Sequence, residues 1–236
     1  MGPATDGDGE APVVRNNRRT RLLHTATYLA TLVLLGTGWW LLTGHDGDPT
    51  PLARAVGESD ATLHRQVGWA LVALLALAAT LGFRGTRTFV RETARAERGD
   101  GRWLRRWPAG ALTGRFAAHR GHFDPGQRLA NLAFVGTLGT LAATGAGLAT
   151  VHGGPTFVWL LRVHKGATVA FAVLAAGHVL VATGILPGYR GAWRAMHLGG
   201  RVPAATARRL WPAEAEAEAE AEAPRPPART GAAPRS

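Results

Sequence analysis

Cysteine is absent from the 236-residue chain. No disulfide, thiolate metal site or iron–sulfur cluster can therefore be carried on it. Lysine is nearly absent as well: of 27 basic residues, Lys165 alone is not an arginine. Acidic residues number only 16, so the formal net charge is +11. Such a charge points to nucleic acid or to an anionic membrane, and its distribution decides between them. Four stretches contain no Asp, Glu, Lys or Arg at all: 22–43, 66–83, 129–151 and 166–186. Each is 18 to 23 residues long, and about 20 apolar residues cross a hydrocarbon core. A soluble domain of this size needs no such runs. The mean hydropathy near zero is thus an average over apolar spans and arginine-rich connections. The fold expected is an all-α integral membrane protein, a four-helix transmembrane bundle with spans at about 22–43, 64–83, 129–151 and 163–186. No nucleic-acid partner is expected.

The cations sort by side. Arg15, Arg18, Arg19 and Arg21 precede the first span, eleven arginines lie between 84 and 128, and eight follow 187. The connections 44–65 and 152–165 hold only Arg54, Arg65, Arg162 and Lys165. The positive-inside rule then places both termini and the loop 84–128 in the cytoplasm. Trp39, Trp40 and Trp159 fall at outer ends of spans and Trp193 just past an inner end, where interfacial aromatics belong. The expected location is the cytoplasmic (inner) membrane of a bacterium, crossed several times.

The segment Asn17-Arg18-Arg19-Thr20-Arg21-Leu22-Leu23 loosely resembles a twin-arginine export signal. The apolar run ends in Trp39-Trp40-Leu41-Leu42 without a small-residue cleavage site, so an uncleaved first span is expected. Residues 1–14 read as a disordered N-terminus. Residues 212–236 alternate Ala and Glu, then turn Pro- and Arg-rich, and read as a solvated, disordered tail. Segment 188–211 mixes Tyr189, Trp193, Met196, Leu198, Val202, Leu210 and Trp211 with five arginines, a pattern for interfacial or partner-facing structure. The loop 84–128 is long for a bundle and is expected to hold short helices.

Nine histidines remain to be placed: 24, 45, 64, 119, 122, 152, 164, 178 and 197. A ligand-type residue within a span is a functional candidate by default. His24, His64, His164 and His178 qualify, and the third span holds none. His164 and His178 are 14 residues apart, close to four helical turns, so both leave one face about 21 Å apart along the axis. That is too far for one metal ion and suits two cofactors stacked across the membrane. The first span runs outward and the second and fourth run inward, so His24 pairs with His178 at the inner side and His64 with His164 at the outer side. Two imidazole pairs at two depths are the arrangement of two bis-histidine b-type haems in a four-helix bundle. The alternative for any single one is an interhelical hydrogen bond. His45 and His152 read as outer-side loop residues; His119, His122 and His197 lie on the inner side, as loop residues or in proton uptake. Gly36, Gly38, Gly68, Gly145, Gly147, Gly166 and Gly177 admit either a flat macrocycle or a close helix. Arg21, Arg65, Arg162 and Lys165 flank the candidate ligands, as propionate partners or as snorkelling charges.

Further motifs stand around these histidines: Arg21-Leu22-Leu23-His24, Leu63-His64, Val163-His164, and Asp124-Pro125-Gly126-Gln127-Arg128 before the third span. Gly188-Tyr189-Arg190-Gly191-Ala192 leads through Gly200-Arg201-Val202-Pro203 to Arg208, Arg209 and Trp211. Across residues 15–211, as a four-span cytochrome b domain, the chain resembles the gamma subunit of respiratory formate dehydrogenase, a dihaem cytochrome b. The histidine pattern is shared with cytochromes b of hydrogenases and thiosulfate reductases; the Gly-Gln-Arg motif and the C-terminal motif favour the formate enzyme. The resemblance implies a membrane anchor that takes electrons from an iron–sulfur beta subunit, with formate oxidised on a catalytic alpha subunit, and that delivers them to menaquinone near the cytoplasmic side. It also implies a quinone site at His178, Asp124 and Gly126, where Asp124 departs from the family's usual Asn. The alternatives are the cytochrome b of a hydrogenase or other molybdoenzyme, or a haem-free scaffold or transporter.

The charge sorting sets a first test. Reporter fusions after Arg106 and after residue 212 should read cytoplasmic, and one near Gly57 external. An external reading at Arg106 would overturn both the topology and the histidine pairing.

Overall fold

The computed structural model describes residues 12–45, 47–119 and 121–212. The disorder expected of residues 1–11 and 213–236 lies outside the described residues. The short strand β1 (Val13–Val14) leads into α1 (Arg18–Leu42), followed by α2 (Pro51–Val56), α3 (Asp60–Leu81), α4 (Phe83–Thr93) and α5 (Asp100–Thr113). Then come α6 (Pro125–Thr150), α7 (Gly154–Ala182), a 3-10 turn at Pro187–Tyr189, α8 (Arg194–His197), strand β2 (Arg201–Val202) and α9 (Ala204–Leu210). Among the described residues, α1, α3, α6 and α7 are long and apolar enough to cross a membrane.

Each long helix starts before its uncharged run and ends within it; at three of the starts this is because the capping group is polar and sits outside the run. Asn17 caps α1 by accepting from the Thr20 amide, Ser59 caps α3 from Thr62, and Asp124 caps α6 from Gln127. Each satisfies one of the amides that a helix start leaves unpaired. The fourth span differs most from expectation. It starts at Gly154 rather than near 163, and ends at Ala182 rather than 186. Gly184, at φ 74°, turns the chain, and the Tyr189 carbonyl and Arg190 backbone packed against it leave no room for a Cβ. His178 consequently stands one turn from the end of α7, as His24 stands in the second turn of α1, and the two come to matching depth.

The helices form two hairpins, α1 against α3 and α6 against α7, and α3 also meets α6. Their outward faces carry Leu32, Leu81, Val169 and Val173 more than half exposed, as lipid-facing side chains should be. At the end where α1 starts, called inner here, α4 packs on α3 and α6, and α5 on α6 and the 3-10 turn. The C-terminal segment folds onto this layer. Gly188 lies against the Gly110 and Ala111 carbonyls so closely that a Cβ would collide with both. Ala111, Tyr189 and Leu210 are buried together with Trp107, Phe116 and Trp211 around them.

Residues 12–14, expected to be disordered, join this layer too. Val13 pairs with Val202 and Val14 with Arg201, antiparallel; Val202 is fully buried, which gives the valine pair an apolar reason to order. Arg128 locks the layer to the bundle. Its guanidinium donates to the Arg95 carbonyl at 2.7 Å and to Asp100 at 2.8 Å from a side chain only 5% exposed.

Candidate functional site

The four intramembrane histidines meet as two pairs, and each pair joins the two hairpins. His24 of α1 faces His178 of α7 with ring centroids 6.2 Å apart. His64 of α3 faces His164 of α7 at 6.3 Å. Such separations leave room for one metal ion between two ring nitrogens, each about 2 Å from it. One helix, α7, supplies a member of both pairs because its two histidines are almost four turns apart.

The surroundings of the outer pair repeat between hairpins. The Thr37 hydroxyl lies 2.9 Å from His64 Nδ1, and the Thr144 hydroxyl 2.8 Å from His164 Nδ1. Next to each threonine is a glycine whose Cβ, if present, would approach the ring at 3.2 Å for Gly38 and 3.5 Å for Gly145. Gly68 and Gly147 instead face Leu34 and Leu160, as close helix packing requires. Arg65, Arg162 and Lys165 are exposed.

The inner pair has other company. His24 Nδ1 is buried without a hydrogen-bond partner among the described residues. Its ring also meets Tyr28 at 5.8 Å and His197 at 6.1 Å, and the Phe134 edge lies 5.7 Å from His178. A cavity of about 220 Å³ is lined by Arg18, Arg21, Leu22, Thr25, Met196 and His197. His197 is the surprise here. It reads as a loop residue because α8 is a single turn, and only the folding of the C-terminal segment under the bundle carries it to His24.

Asp124 and Gly126 stand at the start of α6. Phe134, which reaches His178, is ten residues further, about 15 Å along the helix. No hydrogen bond or ring contact joins Asp124 to His178 among the described residues. The Asp124 carboxylate accepts from the Gln127 amide at 2.8 Å. A Cβ on Gly126 would come within 3.0 Å of the Trp103 indole, so glycine lets that ring lie over the helix start. His119 Nε2 donates to the Leu210 carbonyl at 3.3 Å, and its Nδ1 is buried with no partner among the described residues. Tyr189 accepts at its hydroxyl from Trp107 at 2.8 Å. Burial, and then the nearby Asp124 charge, push the Tyr189 phenol up to about 12. His122 contacts Arg15 and Phe123, and His45 stacks on Trp40 at 4.2 Å. His152 is exposed.

Residues 15–199 match the model of the prokaryotic cytochrome b561 family. The chain belongs to that family. Comparison with curated proteins finds no match. A prokaryotic cytochrome b561 is a haem-carrying, electron-transferring membrane protein, and the residues here fit that group. The buried nitrogen of His24, unpartnered among the described residues, is free to meet a polar or metal partner, and at Gly38 a Cβ would crowd the His64 ring at 3.2 Å, while Gly145 holds the His164 ring at ordinary contact distance.

Asp124 offers a test of the cytochrome b561 inner layer. Burial raises its carboxyl above the ordinary range, outweighing the Gln127 amide, His119 and Arg128, which act the other way. The folded protein therefore holds this proton more tightly than the unfolded chain. Its contribution to stability is greatest below the unfolded value of about 3.9 and declines as pH rises through the raised folded value. Asn caps equally well and never ionises. Asp124→Asn should melt higher than the parent at about pH 7, with the gap closing near about pH 3.5. Thermal unfolding in detergent at both pH values checks this; an equal gap at both would refute it.

Proposed function

We propose that this cytochrome b561 is the membrane-anchoring subunit of a formate dehydrogenase, linking an external iron–sulfur subunit to menaquinone by one-electron transfer through two b-type haems. The observation that carries the reading is the double pairing, His64 with His164 and His24 with His178, at two depths on one shared helix. Held by two paired imidazoles, a haem would supply one-electron transfer rather than ligand binding. The resemblance of the Asp124–Arg128 motif and of the C-terminal motif to those of the formate enzyme supports the choice of partner.

In this reading His64 and His164 hold the outer haem, His24 and His178 the inner one. The bundle's apolar side chains exclude water from both. Arg18 and Arg21, lining the cavity at the inner end, attract anionic groups. The quinone site is assigned to the inner end of the bundle, with His178 on its deep side and Asp124 and Gly126 about 15 Å nearer the inner surface along α6, so that Asp124 would serve as a proton relay and not as a direct neighbour of His178. There the Asp124 carboxyl, held above the usual range by burial, takes up and returns a proton more readily than an exposed carboxylate. His119, whose ring anchors to the Leu210 carbonyl, stands on the same inner face.

Alanine variants test the pairing. Wild-type chain should hold about two haems. His64→Ala and His164→Ala should share one spectral defect, and His24→Ala and His178→Ala a different one. The double variant His64→Ala/His164→Ala should lose little more than either single, because the two ligands act as a unit. Haem-to-protein ratios and low-temperature spectra decide; a wild-type ratio near one, or variants that group His24 with His64, would defeat the assignment. The partner is read by copurification: a large subunit that oxidises formate supports the reading, and one that oxidises hydrogen replaces it.

The quinone assignment has its own test. Asp124→Leu removes a polar partner without touching an imidazole, so quinone reduction should slow while both haems stay bound. Unchanged steady-state turnover with menaquinone would remove Asp124 from the site.

A further inference from the structure

We propose that Thr37 and Thr144 are positioning residues that set the tautomer of the outer imidazole pair, leaving Nε2 of His64 and His164 free to bind iron. The inference rests on the haem reading above and adds two residues to it.

The assignment follows from counting hydrogens. Both threonines are buried, 3% and 5% exposed. A hydroxyl has one hydrogen to donate and lone pairs to accept with. Thr37 Oγ1 lies 2.7 Å from the Val33 carbonyl, which only accepts, so its hydrogen goes there. Thr144 Oγ1 lies 2.6 Å from the Thr140 carbonyl and is committed in the same way. Each oxygen can then only accept from its histidine, at 2.9 Å from His64 Nδ1 and 2.8 Å from His164 Nδ1. Nδ1 must carry the proton. A neutral imidazole has one N–H, so Nε2 keeps its lone pair. The Leu34 and Leu141 carbonyls, also acceptors only, face the same two rings.

The device is built twice. A threonine on the first helix of each hairpin accepts the proton of a histidine on the second, with a glycine beside it; at Gly38 a Cβ would crowd the ring, and at Gly145 it would reach ordinary contact. At the inner pair, His24 Nδ1 has no such hydroxyl partner among the described residues. A ligand imidazole that donates its other N–H becomes a stronger electron donor to the metal. That favours the oxidised iron and lowers the potential of the outer haem.

The test uses full-length chain in native membranes or in its complex, with Thr37→Val and Thr144→Val singly and together, and Thr37→Ser and Thr144→Ser beside them. Valine keeps the shape and loses the acceptor; serine keeps the acceptor. The outer haem is identified as the signal lost in His64→Ala. Optical redox titration should show its midpoint moved upward in the valine variants, with altered low-spin paramagnetic resonance. The inner haem should be unmoved and the serine variants should match wild type. Loss of the outer haem from valine but not serine variants leads to the same conclusion. Valine variants with the wild-type potential and resonance overturn the inference, as do serine variants impaired like valine. A wild-type chain without haem would overturn the haem reading itself.

Discussion

An imidazole within a membrane-spanning helix has no water to satisfy it, and an unsatisfied buried polar group costs about 1–3 kcal/mol. Four such rings in one bundle must therefore find partners inside the protein or on a bound group. Here each ring looks across the boundary between two hairpins toward another ring. Helices within a hairpin are held by close packing, through glycines such as Gly68 and Gly147. The hairpins themselves are brought together largely at α3 and α6 and through the histidines. The arrangement of the whole bundle thus follows from where these four side chains must point, and α7 is central because it contributes to both pairs.

The inner layer answers a different demand. An arginine-rich loop and C-terminal segment cannot enter hydrocarbon, yet they must hold a fixed relation to the bundle if they shape a site there. Buried aromatic packing around Tyr189 supplies the apolar adhesion, while Arg128 ties α6 to Asp100 and to the Arg95 carbonyl. Glu92 adds a bond to the His122 amide at 3.1 Å. Among the described residues positive charge therefore serves two ends: most arginines are exposed or half-buried, while Arg128 is buried where it joins three segments.

Outer and inner pairs are chemically unequal. The outer rings have hydroxyl acceptors on fixed helix turns, so their protonation pattern is set before any cofactor binds. The inner rings sit among further titratable groups, His197 and Tyr28, near a cavity with two arginines. The proposed link between a one-electron donor and a quinone would use the outer pair as its electron-accepting end and the inner pair as its proton-accessible end. Asp124 belongs to the second end, although it lies well away from His178 along α6.

The sequence by itself determined the membrane class, the number of spans and the four candidate ligands, because charge-free length and helical periodicity are local properties. His164 and His178 had to share a face whatever surrounded them. Helix ends were less legible: the caps Asn17, Ser59 and Asp124 lie among charged or polar residues outside the apolar runs. Only the tertiary structure decided what lies beside each ring. His197 reaches His24 through a fold-back of the C-terminal segment, and β1 forms only because Arg201–Val202 returns to pair with it. The repeated Thr-Gly pairs at 37–38 and 144–145 were present to be read, yet threonine and glycine are ordinary in packed membrane helices. Their meaning depends on a hydroxyl and a ring nitrogen from different helices meeting within 3 Å, a distance that no spacing along one chain segment encodes.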